Sequence, residues 1–134
     1  MTYAPTVELL KAVALSAGAR SFWHGKKAQG NINYNEPFPQ AHLIEMESPI
    51  VNGFVKHRVL LYFIAKDEHE NGSEDSIRLQ DEMDILSQQF FALLAEQDGV
   101  EIEGTIQRGA VVREGGKIGT GFLCSFTLNS LALC

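Results

Sequence analysis

Phe54-Val55-Lys56-His57-Arg58-Val59-Leu60-Leu61-Tyr62-Phe63-Ile64-Ala65-Lys66 is the stretch that decides the fold. Val55, His57, Val59, Leu61, Phe63 and Ala65 recur at period two and so share one face of an extended chain. The other face begins polar, with Lys56 and Arg58, and ends apolar, with Leu60, Tyr62 and Ile64. This pattern predicts a long strand, wet at its start and covered on both sides in its second half. It needs partners.

Upstream, Ala41-His42-Leu43-Ile44-Glu45-Met46-Glu47 forms a second strand, ended by Ser48-Pro49. Both of its faces are partly apolar, which places it inside a sheet rather than at an edge. The aromatic pair Phe22-Trp23 opens a short strand that runs toward Ala28, before the polar, turn-rich stretch from Gln29 to Glu36. Pro37 and Pro39 bracket Phe38 and hold that segment extended. Ahead of these, Val7 to Ala17 is a nearly all-apolar helix with Thr6 as its N-cap, Glu8 in its first turn and Gly18 as its left-handed C-terminal residue. With only Glu8, Lys11 and Ser16 as a polar edge, that helix packs on two sides or against a partner.

Downstream, Asp67 to Ser73 is a charged connection. Ser73, Asp75 and Ser76 are candidate N-caps for a long helix, and Glu74 and Asp75 suit its positive dipole end. Leu79, Met83, Leu86, Phe90 and Leu93 recur at helical spacing and define its buried stripe, and Asp98-Gly99 ends it. Beyond it Val100, Ile102, Ile106, Ala110 and Val112 share one parity, broken by Gly104 and Arg108. Glu114-Gly115-Gly116-Lys117 is a turn, and Ile118, Thr120, Phe122, Cys124, Phe126 and Leu128 align on one face of a return strand. The expected fold is α+β: a mainly antiparallel sheet packed by a short N-terminal helix and one long helix, in the order α-β-β-β-α-β-β. Residues 1–134 form a single domain by size, with 45% hydrophobic and 21% charged residues.

The chemistry is sparse. A formal net charge of −6 argues against direct nucleic-acid binding, since phosphate recognition relies on clustered Lys and Arg. No apolar run reaches the length of a membrane span, and the first helix lacks the basic lead of an export signal. A soluble, cytoplasmic chain is the expectation. Cys124 and Cys134 lie ten residues apart with no metal or redox spacing, and Cys124 reads as a small buried hydrophobe. His24, His42, His57 and His69 show no helical ligand spacing, and His57 is expected to be structural. The acids of Asp67 to Asp75 lack the ligand order of a calcium loop, and Gly115 to Gly121 lies between strands instead of leading into a helix. Accordingly no catalytic, cofactor-binding or metal residues are assigned, and no enzyme activity or cofactor is expected.

The order of elements carries a likeness. An apolar helix precedes Phe22-Trp23-His24-Gly25 and Tyr34-Asn35-Glu36-Pro37-Phe38-Pro39. Strands with Leu43-Ile44-Glu45-Met46 and Val59-Leu60-Leu61-Tyr62-Phe63 follow, then the helix with Met83, Leu86, Phe90 and Leu94, and a hairpin ending Gly121-Phe122-Leu123-Cys124-Ser125-Phe126. Over nearly the whole chain this resembles the small tail-terminator and tail-completion (neck) proteins of long-tailed bacteriophages, often found in prophages. The resemblance implies a sandwich-like subunit that forms a homo-oligomeric ring, commonly a hexamer, at the head-proximal end of a tail tube. It implies capping of tube growth and joining of the tail to the head connector, in the host cytoplasm and then in the virion. Partners would be other copies of the chain, tail-tube proteins and head-connector proteins. By position, Asp67 to Asp75 and Glu114 to Lys117 would be contact regions. Two other readings stand beside it: a small-molecule-binding or other protein-interaction domain, with a pocket near Tyr62, Phe90 and Phe126, and a hydrolase or transferase with dispersed residues.

Overall fold

The computed structural model describes residues 2–25, 37–66, 73–111 and 120–130. The elements are α1 (Tyr3–Ala17), β1 (Ser21–His24), β2 (Gln40–Glu47), β3 (Ile50–Val51), β4 (Phe54–Ala65), α2 (Ser73–Ala95), β5 (Val100–Val111) and β6 (Thr120–Ser130). The sheet runs β1-β2-β4-β6-β5, with β3 paired to β4 off this path. β1 lies parallel to β2, and the other pairs are antiparallel. The fold is therefore α+β as expected, with one additional strand.

That strand is β3. It continues β2 past Ser48-Pro49, so β2, β3 and β4 make one long hairpin. Its tip is Asn52-Gly53, with φ of 52° and 82°, the pair of positive angles that a tight two-residue hairpin loop requires. An Asn-Gly pair between apolar residues was the sequence signal for it.

The period-two face of β4 is the core. His57, Val59, Leu61, Phe63 and Ala65 are buried, and in register beside them lie Ala41, Leu43 and Met46 of β2 and Phe122, Cys124, Phe126 and Leu128 of β6. Both helices pack on this face. From α2, Leu79, Met83, Leu86, Phe90, Phe91 and Leu94 are buried, while Leu93 is only partly so. Phe90 meets Phe63, Phe91 and Phe126 edge-on, with ring centres 5.3, 5.0 and 6.1 Å away, the geometry aromatic quadrupoles favour.

The first helix differs from expectation at its start. It begins at Tyr3 with Thr2 as N-cap, so Thr6 lies inside it and Glu8 falls beyond the first turn. Thr6 is fully buried, and its hydroxyl donates to the Thr2 carbonyl at 2.7 Å. A Thr inside a helix can satisfy its hydroxyl this way, which is why cap preference alone misplaced the boundary. The C-terminal end is as read: Gly18 has φ of 130°. A side chain there would also crowd Leu86, whose Cδ1 lies 3.1 Å from where a Cβ would sit.

Candidate interaction surface and buried polar groups

Leu10, Val13, Ala14 and Ala17 of α1 are buried against the core. Leu10 is fully buried, whereas Tyr3 and Leu15 of the same helix keep 42% and 41% of their surface exposed.

The described histidines do not converge. His57 is fully buried, with Nε2 3.3 Å from Thr6 Oγ1 and Nδ1 2.8 Å from Ser48 Oγ. Because the Thr6 proton is committed to Thr2, Nε2 carries the donor hydrogen and Nδ1 accepts from Ser48 in the neutral ring. This triad ties α1 and the β2–β3 junction to β4. His57 is thus a buried histidine with hydrogen-bond partners on both ring nitrogens. His42 lies on the opposite face of the sheet, buried, with Nε2 2.7 Å from Gln40 Oε1. His24 is exposed and bonded to the Tyr3 hydroxyl at 2.7 Å. His69, Cys134, the acids Asp67 to Glu70, and the turn Glu114 to Lys117 lie outside the described residues.

A second polar group sits where the parity of β5 breaks. Between Glu103 and Gln107 the strand carries three residues against one on β6, a bulge in which Gly104 has φ of 69°. Beyond it Arg108 faces the helix layer. Its Nη1 donates to Asp84 Oδ1 and, at 2.9 Å, to Ser87 Oγ, both on α2. Its guanidinium carbon stands 5.4 Å from the centre of the Phe122 ring. Gln88 Nε2 completes the carboxylate's partners at 3.1 Å. Hydrogen bonding from Arg108, then from Gln88, holds the Asp84 carboxyl below its ordinary value. Paired with Arg108 in register is Cys124, fully buried, whose thiol burial pushes up to about 12. At neutral pH it is not a nucleophile.

The sign of the Asp84 effect gives a test. A carboxyl with a lowered folded-state pKa stabilises the fold above its unfolded value, near 3.8, and the contribution is lost as pH falls through the folded value. Asp84→Asn is therefore expected to lower Tm at neutral pH, with the gap from the unaltered chain closing in acid. Thermal melts across a pH series read this directly, and a gap independent of pH contradicts it.

On the face that carries neither helix, Leu60, Leu123, Ser125, Gln107, Gly109 and Val111 outline an open depression of about 370 Å³. Toward the hairpin end this face turns charged: Lys56 bonds Glu103 at 2.8 Å, and Arg58 pairs in register with Glu47. Beyond the charges the hairpin tip carries exposed apolar side chains on both of its faces, Phe54 (48% exposed) on this one and Ile50 (74% exposed) on the other. Tyr62 belongs to the helix-free face, whereas Phe90 and Phe126 are buried in the helix–sheet core. These three side chains enclose no common pocket, because neighbouring positions on a strand face opposite ways.

Among the described residues no group of three His, Cys, Asp or Glu side chains is placed to hold a metal ion. Nor is any described helix long and apolar enough to cross a membrane. No protein-family model matches the chain, and no curated protein matches its sequence.

Proposed function

We propose that this chain is a non-enzymatic structural subunit of a phage tail, of the tail-terminator or tail-completion kind. In this reading it forms a homo-oligomeric ring that caps the tail tube and joins it to the head connector. The observation that carries the reading is the β3–β4 hairpin tip, where Ile50 and Phe54 stand exposed on a tightly turned, two-stranded support. Large apolar side chains held outward on a rigid element favour a contact that excludes water. The helix-free face of the sheet adds a broad surface beside them. The element order supports the same family likeness.

The test is light scattering on size-fractionated protein, alone and co-expressed with a tail-tube protein. A ring-sized species is expected in at least the second condition. The double substitution Ile50→Glu with Phe54→Glu is expected to shift that species to monomer, with the circular-dichroism melt within a few degrees of the parent, since both side chains are already solvated. A parent chain that stays monomeric in both conditions overturns the reading. A double variant that assembles normally removes the hairpin tip from the interface.

A further inference from the structure

We propose that residues 107–111 of β5 form a releasable flap on β6, held shut by the Arg108–Asp84 clasp. This inference is independent of the tail reading.

The two halves of β5 are attached differently. At its start Val100 is buried and Ile102 packs against the core, so hydrophobic burial anchors the first half. Beyond the bulge, Gln107, Arg108, Gly109 and Ala110 are exposed and Val111 is half-buried. Among the described residues, the second half is held by its ladder to β6, by a 3.0 Å bond from the Thr120 hydroxyl to the Val111 carbonyl, and by Arg108. Segments with few buried apolar contacts and solvent-accessible ladders open locally at a small fraction of the global cost. The bulge at Gly104 supplies the pivot, because it already interrupts the ladder between the two halves. β5 is an edge strand, so nothing on its outer side among the described elements pairs with it.

The clasp sets the closed population. Arg108 reaches from β5 across Cys124 and Phe122 of β6 to Asp84 and Ser87 of α2, with Gln88 of α2 bracing the carboxylate. Its side chains are 28% and 29% exposed, so the pair is largely shielded from solvent and salt. Opening bares the backbone edge of β6 over residues 121–125.

Residue-resolved amide hydrogen exchange tests this. In Asp84→Asn and Arg108→Met, the ladder-bonded amides of residues 107–111 and 121–125 are expected to exchange at least about tenfold faster, as for loss of about 1.4 kcal/mol. Amides at Val100 to Glu103 and along β4 should keep the parent's rates, and the double variant should exchange no faster than Arg108→Met alone, which already removes the Ser87 and Phe122 contacts. Acceleration spread evenly over the sheet, or none at 107–111, overturns the proposal.

Discussion

Leu86→Asp is expected to leave the chain without a cooperative thermal transition. Leu86 is 6% exposed, on the inner face of α2, and lies against Gly18 at the end of α1. Two losses add at this position. Removing a buried leucine side chain costs about 2–5 kcal/mol through lost transfer energy and the space left behind. The aspartate that replaces it meets no described cation, and an unpaired buried charge adds several kcal/mol more. A domain of this size has about 5–15 kcal/mol in total. Circular dichroism and chemical denaturation read the result. A cooperative melt near that of the parent would mean that this face of α2 does not line the core. Leu86→Met, which keeps volume and apolarity, should cost less than about 1.5 kcal/mol and serves as the matched control.

How much of this was visible in the chain depended on the range of the interactions. Period-two burial on β4 and the four-three spacing on α2 are properties of a single segment, and both were legible. The burial of Cys124 and the terminating role of Gly18 were legible for the same reason. What escaped was set by contacts distant in sequence or by competition between local rules. Thr6 looked like a cap because its chemistry suits one, but burial against His57, 51 positions away, placed it inside the helix. β3 escaped because two residues give no periodicity, although Asn52-Gly53 marked the turn. Gly104 and Arg108 were noticed only as interruptions of a pattern. The structure explains them as a bulge and an inward charge, and both devices restrain unwanted pairing at an edge strand. Asp84 lies 24 positions from Arg108, so no window along the sequence joins them. The apolar tip at Ile50 and Phe54 depended on a hairpin that had not been read. Among the described residues the histidines fall on three different strands, His24 on β1, His42 on β2 and His57 on β4.

Gly121→Ala is expected to be a strongly disruptive single-methyl change. Gly121 lies on β6 opposite Ile64 of β4, in the part of the sheet where β4 is covered on both faces. A Cβ added there would sit 1.8 Å from the Phe63 carbonyl oxygen and 2.9 Å from its carbonyl carbon. A flexible side chain could swing away from such a contact. These atoms are backbone, fixed by the β4 ladder on one side and by the packing of Phe63 against Phe90 on the other. Relief therefore requires β6 to move away from β4, which lengthens ladder bonds over several residues. Overpacking in a well-filled core costs about 1–3 kcal/mol, and the rigidity of this neighbour puts the effect at the upper end or beyond, about 3 kcal/mol or more. Gly109→Ala on β5 is the control, because a Cβ there meets no atom within 4 Å and the site is exposed. Chemical denaturation of the two variants side by side separates steric closeness from the intrinsic cost of changing a strand glycine. If both shift the midpoint equally, the close approach of β4 and β6 at this point is wrong.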